Sequence, residues 1–121
     1  MTGKKRILII EDSPNIVMVE RLCLEANGYK VLVAADGLQG LEMAINEHPD
    51  LILLDLLLPK LDGYLFLKAL HENPAIAAIP VLVTSAKAQV DDLEEAHTYK
   101  ISGYLVKPFT PAELLDKIAQ I

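Results

Sequence analysis

The chain has 121 residues, 52% of them hydrophobic and 23% charged, which suits one globular domain with a core of its own. Lys and Arg number 11 against 17 Asp and Glu, a net charge of −6, and that balance argues against a nucleic-acid groove, which needs a basic footprint. A single cysteine, Cys23, excludes an internal disulfide and a cysteine zinc cluster. Neither a secretory leader nor an apolar run of ~18 residues is visible, so no membrane span is expected and the cytoplasm is the expected compartment.

Residues 6–10 form a short β-branched run that reads as the first strand, and it ends in Glu11-Asp12. Ser13-Pro14 then predicts a helix start with proline at the first helical position. That helix runs to about Asn27, where Gly28 stops it, with Ile16, Val19, Cys23 and Ala26 as its expected apolar stripe. Residues 29–34 read as a second strand. Asp36 is the expected cap of a second helix carrying Leu38, Leu41, Ala44 and Ile45 along one side, and His48-Pro49 ends it.

The stretch Leu51-Ile-Leu-Leu-Asp55 comes next. Its apolar run is too uniform for a strand with a wet face, yet it finishes on a carboxylate. Desolvating an unpaired carboxylate costs several kcal/mol, roughly, so Asp55 must surface at the strand end, meet a cation, or both. Asp62-Gly63 opens a third helix with Leu65, Phe66, Ala69 and Leu70 expected inward. A fourth strand follows over 81–84, then Ser85-Ala86, then a helix over about 89–98. The fifth strand is expected over 104–106, ahead of Lys107-Pro108-Phe109. Thr110-Pro111 starts a C-terminal helix burying Leu114, Leu115 and Ile118.

Five strand–helix units in strict alternation predict parallel strands with right-handed helical crossovers. The expected architecture is a doubly wound α/β sheet of order 2-1-3-4-5, a flavodoxin-like α/β/α sandwich. It forms one domain over residues 1–121 with its core at about 5–120. Ligands of such sheets sit beyond the carboxyl ends of the strands, where the strand order reverses. That edge collects Glu11 and Asp12 from the first strand and Asp55 from the third. It also collects Thr84 or Ser85 from the fourth and Lys107 from the fifth.

Three acids in one pocket repel one another unless a cation intervenes. Mg²⁺ is the natural one, being hard and commonly held by one or two carboxylates with waters and phosphate oxygens. A carboxylate is also a nucleophile toward phosphoryl groups. Asp55, at the end of the central strand, is the expected nucleophile, and Glu11 and Asp12 the metal holders. Mg²⁺ and Lys107 would offset charge on the transferring group, while the Ser85 hydroxyl and the Leu56 N–H would supply hydrogen bonds.

Four pieces occur in order: Ile-Leu-Ile-Ile-Glu-Asp, Asp55-Leu-Leu-Leu-Pro59-Lys-Leu-Asp62-Gly63, Ser85-Ala86, and Tyr104-Leu-Val-Lys107-Pro108-Phe109. With them the chain resembles the receiver domains of two-component response regulators over nearly its whole length. The resemblance implies a signalling phosphoacceptor, not a turnover enzyme. Its donor would be a histidine kinase, a phosphotransfer protein or a small phosphodonor, and its output partner is not named by the sequence. It implies Mg²⁺ held by Asp12, Asp55 and the Leu57 carbonyl with Glu11 close by, and Lys107 paired with Asp55. It further implies Ser85 as the switch hydroxyl in preference to Thr84, Tyr104 as the aromatic switch, and a cis Lys107-Pro108 bond. Phosphorylation would reshape the face of the 89–98 helix, the fifth strand and the C-terminal helix. A dimer that forms on phosphorylation is a further expectation.

Three features depart from the family pattern. Leu57 and Lys87 stand where the family flanks the hydrolysing water, which implies a long-lived phospho-form. Lys100 replaces a usual glycine. A flavodoxin-like redox module would want a Ser/Thr/Gly-rich loop where Glu11-Asp12-Ser13-Pro14 stands. An aspartyl phosphatase would want an acid at Leu57, and a docking-only pseudo-receiver would not need the intact acid set.

Overall fold

The computed structural model describes residues 5–56, 63–86 and 101–121. In chain order these give β1 (Arg6–Ile10), α1 (Pro14–Ala26), β2 (Lys30–Ala34), α2 (Gly37–Glu47), β3 (Leu51–Asp55), α3 (Gly63–Glu72), β4 (Val81–Ala86), β5 (Gly103–Lys107) and α4 (Pro111–Ala119). The helix expected over 89–98 lies outside the described residues, as do Leu57, Asp62, Lys87 and Lys100.

All five strands are parallel in one sheet of order β2-β1-β3-β4-β5, as the alternation of units predicts. Two apolar layers flank it. On one side Leu8, Ile10, Ile52, Leu54 and Val83 pack with Ala44 of α2 and Phe66, Leu67 and Leu70 of α3. On the other, Ile7, Ile9, Leu53, Leu82 and Leu105 pack with Leu24 of α1 and with Leu114 and Ile118 of α4. Alternate residues of each strand feed opposite layers, which is why the strands read as unbroken apolar runs.

The helix ends follow local chemistry. The Asp36 carboxylate accepts from the Gln39 amide at 2.8 Å, and Thr110 and Glu113 form a reciprocal capping box ahead of Pro111. Ser13 starts α1 through its carbonyl, which accepts from Val17 N–H at 3.0 Å, but its side chain makes no capping bond. Gly28 sits at φ +89, where a side chain would be strained. Gly63 is required for a different reason. A Cβ there would lie 2.7 Å from the Leu56 Cα, so only glycine lets α3 begin against the end of β3.

Three expectations about helix faces are corrected. In α1 the residues turned fully inward are Glu20 and Leu24, whereas Val19 and Ala26 of the expected stripe are exposed. In α2 the inward line is Gly37, Gly40 and Ala44, with Leu38 and Ile45 exposed. In α3 Leu65 is exposed, and Leu67 takes the inward place beside Phe66. Small residues let α2 lie close to the sheet: a Cβ on Gly40 would meet Ile10 Cδ1 at 2.5 Å. Leu115 of α4 is half-buried, beside the buried Leu114 and Ile118. The fourth strand runs two residues further than expected, through Ser85 and Ala86, and the fifth spans Gly103 to Lys107.

Candidate functional site

Four strands deliver the site. β1 hands over to Glu11 and Asp12 at its end, and the Glu11 amide stays tied to the Ala34 carbonyl of β2 at 3.0 Å. β3 finishes on Asp55, β4 on Ser85 and Ala86, and β5 on Lys107. Because the strands are parallel, all of these ends lie on one rim of the sheet, where β1 and β3 adjoin.

Carboxylate oxygens of Glu11, Asp12 and Asp55 lie within 4.8 Å of one another. Glu11 and Asp55 are buried, Asp55 being 7% exposed, and Asp12 opens to solvent. The Lys107 ammonium reaches into this group. It donates to Glu11 Oε1 at 2.7 Å and stands 3.4 Å from Asp55 Oδ2. The pairing with Asp55 is the one the resemblance implies, and the shorter bond to Glu11 is an addition. The Glu11 carboxylate also accepts from the Ser13 amide at 3.2 Å.

Burial raises the Glu11 pKa above its usual value, and the nearby Asp55 adds to the rise, against the pull of the Lys107 bond. Burial works against the Lys107 charge, but its bond to Glu11 and the Asp55 carboxylate outweigh that and raise its pKa. One ammonium thus meets two buried acids with a third beside them. A hard divalent cation fits such a donor set, which supplies three oxygens and excess negative charge.

Two hydroxyls lie near the end of β4, beside the strand that carries Asp55, and they differ in their bonding. Thr84 is in register with Asp55, and its Oγ1 donates to the Leu54 carbonyl at 3.4 Å. Ser85 is fully buried, and its Oγ has no partner among the described residues. The Leu56 amide, expected to face a transferring group, instead donates to the Thr84 carbonyl at 3.2 Å. Sheet pairing continues one residue past Asp55 and uses that donor. Tyr104 is 40% exposed, with the Lys117 ammonium 5.9 Å from its ring centre. The Lys107-Pro108 bond is cis, as the resemblance implies. The Leu57 carbonyl, implied as a metal ligand, lies outside the described residues.

One group escaped the sequence reading. Glu20 of α1 is 3% exposed, and its Oε2 has no partner among the described residues. Burial, with Glu11 and Asp55 nearby, pushes its pKa up to about 7. The signal was the helical period itself: Glu20 and Leu24 are four apart on one face, a line that a search for apolar residues alone passes over.

A doubly wound parallel sheet with an acid cluster and a lysine at its switch point defines an α/β domain of the kind whose ligands meet the carboxyl rim of the sheet. The family model of the response regulator receiver domain matches residues 7–119, and the chain belongs to that family. It is 41% identical over 113 residues to the DNA-binding dual master transcriptional regulator RpaA of Synechocystis, covering 93% of this chain and 47% of that protein. It is 37% identical over 117 residues to the alkaline phosphatase synthesis transcriptional regulatory protein PhoP of Bacillus subtilis, covering 97% of this chain and 48% of that protein. The chain thus spans about half the length of these relatives. Among solved structures, the chemotaxis response regulator CheY4 of Vibrio cholerae superposes with a TM-score of 0.91 at 29% identity, covering 98% of each chain. Among the described residues no helix is long and apolar enough to cross a membrane.

Proposed function

We propose that this chain is a phosphoacceptor switch in which Asp55 receives a phosphoryl group from a histidine kinase, a phosphotransfer protein or a small phosphodonor. The observation that carries the reading is the Lys107 ammonium set between Glu11 and Asp55 inside a cluster of three carboxylates. Such a cluster is poorly suited to anything but a cation, and a cation is what a phosphoryl group needs there.

Asp12, Asp55 and Glu11 would hold Mg²⁺, and the resemblance implies the Leu57 carbonyl as a further ligand. When bound, Mg²⁺ supplies positive charge to the phosphoryl oxygens. Asp55 Oδ attacks phosphorus and the bond from phosphorus to the donor breaks: a donor imidazole leaves with a proton taken from solvent, and an acyl phosphate leaves its carboxylate as the anion. Lys107 is already within 3.4 Å of Asp55 and turns its ammonium to the new phosphoryl oxygens. A groove of about 420 Å³ between Ile16, Val19 and the Lys107-Pro108-Phe109 segment gives a donor a way to the rim.

Phosphorylation adds roughly −1.5 to −2 charge and three acceptor oxygens. Ser85 is the hydroxyl we assign to answer them: among the described residues its buried oxygen has no bond to give up, whereas Thr84 has one to Leu54. Movement of Ser85 leaves room on the face where Tyr104 lies opposite Val83, two residues before Ser85. The Tyr104 ring turns inward, and the surface of β5 and α4 changes for an output partner. Such couplings are typically about 1–3 kcal/mol. The domain acts in the cytoplasm as a signalling element and turns over no substrate of its own.

Treatment with acetyl phosphate, read by intact mass, tests this. One added phosphoryl group is expected in the presence of Mg²⁺, and none with EDTA or in Asp55→Asn. Equal labelling of Asp55→Asn would refute the assignment.

A further inference from the structure

We propose that Lys117 of α4 is a latch on Tyr104, holding its ring in the outward position and so setting how readily the domain switches. The inference rests on the reading of Tyr104 as the moving aromatic residue.

Leu105 packs in the layer beneath α4, with Leu114 and Ile118. Strand alternation therefore turns its neighbour Tyr104 to the other face of the sheet. Helix α4 would not meet Tyr104 in the middle of a sheet, but β5 is the last strand in the order. Lys117 sits one position before Ile118, and its long side chain passes the sheet edge to place Nζ 5.9 Å from the Tyr104 ring centre. A cation at that distance is attracted by the ring's quadrupole, and at an exposed site the attraction is modest.

The contact exists with the ring 40% exposed, and a ring turned toward the interior would leave it behind. It is therefore made in one of the two states only. An interaction confined to one state shifts the equilibrium by its full worth. Lys117 touches neither the acid cluster nor Lys107 in any described contact, so it tunes the switch without entering the chemistry.

The test compares Lys117→Met and Lys117→Arg with the wild type, each labelled with ¹³C tyrosine. In the resting protein, NMR couplings and ring contacts report the inward and outward populations of Tyr104. Loss of the cation in Lys117→Met should raise the inward-to-outward ratio roughly two- to fivefold, while Lys117→Arg keeps the wild-type ratio. An unchanged ratio in Lys117→Met, or an equal rise in Lys117→Arg, overturns the latch. Beryllium fluoride with Mg²⁺ gives a second readout. Lys117→Met should bind it more tightly by the same factor, and the gain should vanish in a Tyr104→Ala background. A gain that persists there overturns the proposal. If the wild type takes up no beryllium fluoride, the phosphoacceptor reading fails, and the resting ring populations still decide the latch.

Discussion

Replacing Glu20 with Gln should stabilise the protein, and the gain should depend on pH. The side chain is 3% exposed, and its Oε2 has no partner among the described residues. Burial, then the charges of Glu11 and Asp55, raise its pKa from 4.5 to about 7, with Lys107 opposing. In the unfolded chain the group titrates near its ordinary value. Below that value both states hold the proton, and folding carries no penalty from this group. As pH rises toward 7 the unfolded state releases the proton while the folded state retains it, and folding is progressively penalised. Above 7 the penalty is complete, about 3 kcal/mol for a shift of this size. Gln removes the ionisation and keeps the shape. Urea unfolding in EDTA, at about pH 4.5 and about pH 8, should show the variant gaining on the wild type by up to about 3 kcal/mol at the higher pH and by little at the lower. A variant-minus-wild-type difference that is the same at both pH values would refute the reasoning.

Other outcomes follow from the same geometry. Lys107→Met leaves Glu11 and Asp55 facing one another without their ammonium, so unfolding near neutrality should show a loss of about 3 kcal/mol. Gly63→Ala drives a Cβ to within 2.7 Å of the Leu56 Cα. Denaturant melts should show about 1–3 kcal/mol of destabilisation, and acetyl phosphate labelling should slow because Leu56 directly follows Asp55. Leu57 and Lys87 in place of water-aligning residues imply a slow loss of phosphate. The purified phospho-protein, followed by ³¹P NMR without a phosphatase, should outlast the observation of minutes, and a half-life of seconds would count against that role for the two residues.

Strand order and the rim of the sheet were legible because their signals are local. The strands are mostly apolar, and β1, β3 and β5 lead into or end on Glu11, Asp55 and Lys107, whose charges cannot be buried without a partner. Asp55 and Lys107 reveal themselves this way, and the geometry does bring them within 3.4 Å. Helix faces were harder to read. In α2 the inward residues are two glycines and an alanine, of which Gly40 lies hard against Ile10, so a count of large apolar residues selects Leu38 and Ile45 on the wrong side. In α1 a glutamate takes an inward place, and the apparent stripe rotates toward Val19 and Ala26. The short Lys107 bond to Glu11 and the use of the Leu56 amide by the sheet depend on how side chains and strand ends settle in three dimensions, which no spacing records.

The central claim is that Asp55, and no neighbouring acid, becomes the acyl phosphate. Borohydride reduces an acyl phosphate to an alcohol, so protein treated with acetyl phosphate and Mg²⁺, then reduced and digested, carries a permanent mark at the modified residue. Peptide mass spectrometry should find homoserine in place of Asp55, with Glu11 and Asp12 intact. A reduced residue at Glu11 or Asp12, or the same yield at Asp55 with Mg²⁺ withheld, would contradict the account.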